Sequence, residues 1–145
     1  MKQRIKRLDK NKPSRSLTKI IIIKVLPVIV FLVAGFLLVP YGSMYFQNNK
    51  VVNVNTKAEA ILFYNANCQH CQKVYPKIFW HNVLNFNNKS KQIQTINVQN
   101  ANNKHYVAEF AVQATPIFIK TTNINQRLVS TNSQQIKQFI QTGGH

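Results

Sequence analysis

An apolar run, interrupted only by Lys24, extends from Ile20 to Val39. An α-helix of this length, at about 1.5 Å per residue, spans roughly the 30 Å hydrocarbon core of a bilayer. Lys24 lies one turn into the run, so its side chain can extend to the lipid headgroups. We therefore predict one transmembrane anchor over residues 20–46. Three aromatic residues suit its far interface: Tyr41, Tyr45 and Phe46.

The charge before this run predicts its orientation. Residues 1–19 contain eight Lys or Arg and one acid, Asp9. Such an excess marks a cytoplasmic tail, so the chain after residue 46 is expected outside the cell membrane. A cleaved secretory signal is the alternative, but its apolar core usually has about 7 to 15 residues and a small-x-small exit, which Val39–Ser43 does not offer. In both cases the cysteines face an oxidising compartment.

A formal net charge of +16 is typical of proteins that bind nucleic acid. Much of that charge lies in the tail, where membrane topology accounts for it. Residues 47–145 still hold ten Lys or Arg against two acids, Glu59 and Glu109. Because no aromatic-basic RNA motif accompanies this charge, we expect no nucleic acid partner and instead an attraction to anionic membrane lipid or cell wall.

The remaining chain has the length of one small domain. Residues 47–57 are polar and read as a linker, with Val51, Val52 and Val54 indicating a short edge strand. Residues 58–145 alternate strands and helices, which predicts an α/β sandwich with a mixed sheet covered on both faces. The predicted elements are a strand at 60–64, a helix at 70–87, a strand at 93–98, a short helix at 104–111, strands at 116–120 and 127–130, and a helix at 133–141.

The only two cysteines form the motif Cys68-Gln69-His70-Cys71, directly after the apolar strand. If a helix begins here, both cysteines lie on one face of its first turn and can close a disulfide. The helix N-terminus would also stabilise the Cys68 thiolate. A structural zinc site needs four ligands, and covalent haem attachment needs a histidine where Gln72 stands. We therefore expect no metal and no other cofactor, although two unrelated cysteines remain an alternative.

The strand, the motif and two prolines together resemble the thioredoxin fold, specifically its membrane-anchored extracytoplasmic thiol-disulfide oxidoreductases. The resemblance covers about residues 50–145. Pro76 stands five residues after Cys71, where the family carries a helix-kinking proline, and Thr115-Pro116 precedes an apolar strand, where the family places a cis-proline loop. The resemblance implies that Cys68 and Cys71 are catalytic, that Thr115 presents backbone groups to a substrate peptide, and that Pro116 packs against the disulfide and excludes metal.

Departures from the family pattern bear on the direction of the chemistry. Reducing thioredoxins carry Trp-Cys-Gly-Pro-Cys and a buried Asp six residues before the first cysteine, where this chain has Leu62. Oxidising members carry a histidine before the second cysteine, so by resemblance Gln69 and His70 modulate the pair and His70 favours disulfide donation. A solvated His70 without an electrostatic role is the alternative. Lys73 could add to the positive potential near Cys68.

The expected activity is the formation or isomerisation of disulfides in exported cysteine-containing proteins or peptides, with a redox partner that resets the pair. A membrane-tethered reductase and a redox-silent accessory module of a peptide exporter remain alternatives. Glu59 or Glu109 could shuttle protons, although Glu109 is expected to face solvent. Four aromatic residues could line a groove but are expected in the core: Tyr64, Tyr75, Phe79 and Trp80.

Overall fold

The computed structural model describes residues 19, 21–47 and 53–142, and the chain divides into two compact units, residues 1–38 and 39–145. A π-helical turn, Ile21–Val25, leads into helix α1, Leu26–Phe46. Within this region Ile22–Phe46 has a mean hydropathy of 2.8 in its most apolar window, none of which is buried. By length and composition α1 could therefore cross a bilayer. Of the predicted basic tail, residues 1–19, the structure describes only Lys19.

Four strands form one mixed sheet in the order β2-β1-β3-β4. Strand β1, Ala60–Tyr64, runs parallel to β2, Ile93–Asn97, and antiparallel to β3, Ile117–Lys120. Strand β4, Arg127–Leu128, pairs antiparallel with β3 at the edge. Every residue of β1 is buried because the strand has a neighbour on each side and a covered face above and below. This explains its continuous apolar sequence.

Three helices cover the sheet on its two faces. Helices α2, Gln69–Leu84, and α4, Ser133–Gln141, pack on the face that carries Leu62 and Tyr64. Helix α3, His105–Glu109, packs on the opposite face through Tyr106. Successive residues of β1 point to opposite faces, so one strand contributes to both halves of the core. The predicted α/β sandwich is confirmed.

Most element bounds agree with the sequence-based expectation, and β1 and α4 agree at both ends. Strand β4 is two residues shorter than predicted because Ser130 takes part in the start of α4: its hydroxyl donates to Gln135 Oε1 and accepts from the N–H of Asn132. Val51 and Val52 lie outside the described residues. Val54 is not in a strand but packs against the cluster around Ile61.

The last turns of α1 belong to the second compact unit, which begins at Val39. Met44 is fully buried, and the hydroxyl of Tyr64 donates to its carbonyl oxygen over 3.0 Å. The hydroxyl of Tyr75 lies 3.2 Å from Ser43 Oγ. Because buried tyrosine hydroxyls need hydrogen-bond partners, these contacts fix the helix end onto the domain.

Candidate functional site

The two cysteines lie at the junction between the end of β1 and the start of α2. The side-chain oxygen of Asn65 accepts from the N–H of Asn67 over 2.8 Å, and the carbonyl of Asn65 accepts from the N–H of Cys68 over 3.1 Å. These bonds form a tight turn that places Cys68 at the N-cap of α2. The unpaired backbone N–H groups of the first helical turn are therefore available to the Cys68 sulfur, as the sequence predicts.

The cysteines differ in exposure. Cys68 is half-buried, whereas Cys71 is completely buried against the core, and both are free thiols in this structure. The sulfur of Cys71 accepts a hydrogen bond from the N–H of Asn65 over 3.4 Å. A molecule approaching from solvent therefore meets Cys68 first.

The surroundings of Cys68 stabilise its thiolate. Partial burial by itself raises the pKa of this thiol, but hydrogen bonds from the backbone N–H and the thiol of Cys71, and from the backbone N–H of His70, outweigh the burial and lower the pKa below its ordinary value. The helix start thus supplies the stabilising groups. The backbone N–H of His70 is one of these groups.

The surroundings of Cys71 have the opposite effect. Burial raises the pKa of the Cys71 thiol to about 11, and the hydrogen bond from Asn65 offsets only part of this effect. Its interactions with Cys68 raise the pKa further. One cysteine is therefore prepared to be a thiolate while its neighbour stays protonated at neutral pH.

The Thr115-Pro116 loop faces Cys68 from the other side. Its peptide bond is cis, as the resemblance implies, and Pro116 is buried. The thiol of Cys68 donates to the carbonyl oxygen of Thr115 over 3.6 Å. A cleft of about 380 Å³ lies beside this contact. It is lined by His70, Thr115, Pro116, Val129, Ser130 and Thr131.

Gln69 and His70 are both exposed at the start of α2, and Lys73 is exposed one turn on. Of the two motif residues between the cysteines, His70 lines the cleft. Pro76 lies inside α2 rather than at its start, where it removes the hydrogen bond to the carbonyl of Gln72.

The residues proposed as proton shuttles lie apart from the cysteines. Leu62 is fully buried and occupies the position where reducing thioredoxins carry a carboxylate. Glu59 precedes β1, at the end of that strand away from Cys68, and forms an ion pair of 3.0 Å with Lys120. Glu109 is exposed, as expected.

Several aromatic and histidine side chains that could have lined a groove or bound a metal instead contact other parts of the domain. Tyr64 and Tyr75 belong to the core, as predicted. His81 Nε2 lies 2.7 Å from the carbonyl oxygen of Lys91, and the ring of His105 packs on that of Tyr106. Among the described residues no three His, Cys, Asp or Glu side chains gather as metal ligands would.

Two contributors to the site are not among the sequence-based candidates. Asn65 both forms the turn and donates through its N–H to the Cys71 sulfur, and an Asn three residues before the N-cap is a recognisable turn signal. The segment Val129–Thr131 lines the cleft, but no local pattern points to it because the tertiary fold alone brings it beside His70.

Comparison with known proteins agrees with this arrangement. A sequence model of thioredoxin matches residues 44–142. The matched stretch contains all four strands, helices α2 to α4 and both cysteines. No curated protein and no solved structure matches the chain.

Proposed function

This chain belongs to the thioredoxin family, and we propose that it carries out thiol-disulfide exchange through Cys68 and Cys71. The opposite pKa shifts of the two adjacent thiols support this function best. A solvent-reachable thiolate beside a peptide-sized cleft can attack or be attacked, and a buried protonated partner can close the disulfide.

The first step begins from the Cys68–Cys71 disulfide. A substrate thiolate attacks the sulfur of Cys68, a new bond forms between the substrate sulfur and Cys68, and the Cys68–Cys71 bond breaks. Cys71 leaves with the electron pair. The N–H of Asn65 stabilises that thiolate until it takes up a proton, which the pKa of about 11 favours.

The second step releases the product. A second substrate thiolate attacks the substrate sulfur of the mixed disulfide, so the substrate disulfide forms and Cys68 departs as a thiolate. The lowered pKa of Cys68 makes it a good leaving group. The substrate loses two electrons and two protons, and the dithiol gains the electrons. A separate redox partner must then reoxidise it.

Disulfide donation or isomerisation is the direction we propose. Hydrogen bonds that stabilise the Cys68 thiolate favour the reduced protein and raise the reduction potential. The buried Leu62 leaves no carboxylate at the position from which reducing thioredoxins deprotonate the resolving cysteine. Thr115 and Pro116 would hold an extended substrate segment in the cleft beside His70.

The cell membrane is the place we propose for this activity. Helix α1 would anchor the protein, with residues 1–19 in the cytoplasm and the sheet domain outside. The clients would be exported proteins or peptides that contain cysteines. A membrane-impermeant maleimide applied to intact cells should label Cys68 in the Cys71→Ser variant. Labelling only after lysis would place the domain on the cytoplasmic side.

The activity is tested with the full chain in lipid nanodiscs. The oxidised protein should introduce disulfides into a reduced unfolded protein, and its potential against glutathione should fall at about −120 to −180 mV. Cys68→Ser should abolish the reaction, whereas Lys73→Ala is the matched surface control. A potential near about −270 mV would indicate a reductase. Activity in the Cys68→Ser variant would refute exchange through this pair.

A further inference from the structure

A groove lies between helices α2 and α4, separate from the cleft beside Cys68. Its volume is about 230 Å³. Three isoleucines form its apolar lining, of which Ile78 and Ile136 are buried and Ile140 is half-buried. Sites for whole small molecules usually have about 300–1,000 Å³. The groove therefore has the size for one or two side chains of a bound peptide rather than for a cofactor or a lipid chain.

The polar lining of the groove is basic. Lys77 and Lys137 are exposed on its two sides, and the half-buried His81 lies beside them. Lys77 Nζ donates to Ser133 Oγ, which uses one of the three N–H donors of its ammonium group. We call the space between Lys77, Lys137 and the isoleucines the basic groove.

No Asp or Glu of the domain neutralises the basic groove. The only acids of residues 39–145 are Glu59 and Glu109, and neither lines the groove. Glu59 forms an ion pair with Lys120, and Glu109 ends α3, which packs on the opposite face of the sheet. The positive charge of the groove is therefore available to an acidic group from outside the domain.

The basic groove extends the cleft beside Cys68. His70 lines the cleft, and Lys77 lies seven residues later on the same face of α2. On the facing side Thr131 lines the cleft and Ser133 lines the groove. A peptide that leaves the cleft between these two elements would reach Lys77 after about 10 Å, which is about three extended residues.

We propose that the basic groove is a second binding site for the client chain and takes an acidic residue with an aliphatic neighbour. The client carboxylate pairs with Lys77 and Lys137, and the aliphatic side chain packs on Ile136 and Ile140. Clients with Glu or Asp about three to four residues from the reacting cysteine are then preferred. A second copy of this chain fits poorly, because a net charge of +16 makes two copies repel each other. This inference gives the substrate class of the proposed exchange function and rests on it.

Binding is measured with fluorescent peptides that carry serine in place of cysteine, so that no exchange takes place. One peptide has Glu-Leu at the expected spacing on each side of the serine, and the other has Gln-Leu. Fluorescence anisotropy with the oxidised full chain, in nanodiscs of zwitterionic lipid, should show tighter binding of the Glu-Leu peptide. The double variant Lys77→Glu, Lys137→Glu should bind that peptide about tenfold more weakly, because it replaces both cations with anions.

Lys57→Glu, Lys104→Glu is the matched control, because both lysines are exposed and line neither the groove nor the cleft. It has the same net charge and the same basic tail as the groove variant, so diffuse attraction is equal in the two. Its binding should stay close to that of the wild type. Circular dichroism and the rate of reduction by dithiothreitol, a neutral thiol, should agree among all variants. If the groove variant is unfolded, Lys77→Gln, Lys137→Gln takes its place.

Equal binding of the two peptides by the wild type, or equal loss in the two double variants, would overturn the proposal. Binding of phosphatidylglycerol vesicles that only the groove variant loses, with no preference between the peptides, would assign the groove to lipid and also overturn it. Cysteine-containing versions of both peptides separate this proposal from the exchange function. Selective binding without oxidation of either peptide would refute only the exchange function, and oxidation of both with the same KM would refute only the groove.

Discussion

The sulfur of Cys68 lies 3.6 Å from the carbonyl oxygen of Thr115, although the two residues are 47 positions apart in the chain. This contact joins the start of α2 to the loop that enters β3, and the cleft beside it is lined by Thr115 and by His70, two residues after Cys68. Cys71 is completely buried behind it. The two cysteines therefore cannot exchange roles, because only Cys68 is exposed to an approaching substrate.

Cys71→Ser should trap the proposed intermediate. With no second thiol to resolve it, a mixed disulfide between Cys68 and a client should persist, because only an external thiol can release it. Non-reducing gels of membranes from cells that produce the variant should show adducts that disappear on reduction. Cys68→Ser is the control and should give none. If both variants give the same adducts, Cys68 is not the attacking residue.

The two thiols should titrate far apart. Thiolate absorbance of the reduced protein should rise first at a pH below the ordinary cysteine pKa, where Cys68 ionises, and again near a pKa of about 11, where Cys71 ionises. Alkylation of Cys68 should slow as the pH falls through its lowered pKa, because the thiol replaces the thiolate. A single transition at an ordinary cysteine pKa would contradict the hydrogen bonding at the helix start.

His70→Ala should make the pair more reducing. If the imidazole stabilises the Cys68 thiolate as the family resemblance implies, its removal should lower the reduction potential by about 30 mV for each tenfold change in the exchange equilibrium. Equilibration with glutathione measures this. Lys73→Ala is the control for the loss of a nearby basic group. An unchanged potential would mean that His70 contributes through its backbone N–H alone.

The buried ion pair should affect stability but not exchange. Glu59→Gln would leave the ammonium of Lys120, which is only 2% exposed, without its charged partner, and we expect a loss of about 3 to 5 kcal/mol in unfolding free energy. Lys120→Met should cost less because Glu59 is 15% exposed and can be hydrated. Chemical denaturation measures both. A fall in the initial exchange rate of folded Glu59→Gln would show that this carboxylate shuttles protons after all.

Tyr64→Phe should loosen the end of α1. The Tyr64 hydroxyl donates to the carbonyl of Met44 and to Gln47 Oε1, over 3.0 and 3.1 Å. Its removal should lower the unfolding free energy by about 1 to 3 kcal/mol and increase hydrogen exchange around Met44. Tyr106→Phe, on the opposite face of the sheet, serves as the comparison. Equal exchange around Met44 in both variants would contradict a specific role for Tyr64.

Local sequence determined the features that depend on near neighbours. The apolar run of α1, the short continuous apolar run of β1, and the spacing of Cys68 and Cys71 all follow from side chains within a few residues of one another. The same locality explains why the start of α4 is predictable, since Asn132 caps it with its own side chain. These features sufficed to predict the sandwich and the location of the dithiol.

The tertiary structure alone decided the features that join distant segments. The carbonyl of Thr115 contacts Cys68, and Tyr64 and Tyr75 bind the end of α1. Lys120 forms an ion pair with Glu59. Each of these contacts links separate elements of the fold. Burial and hydrogen bonding set the pKa of a thiol, and both depend on what the fold places around it rather than on the adjacent residues. The sequence could therefore identify the two cysteines, but only the packed sheet and helices made one of them accessible and left the other enclosed.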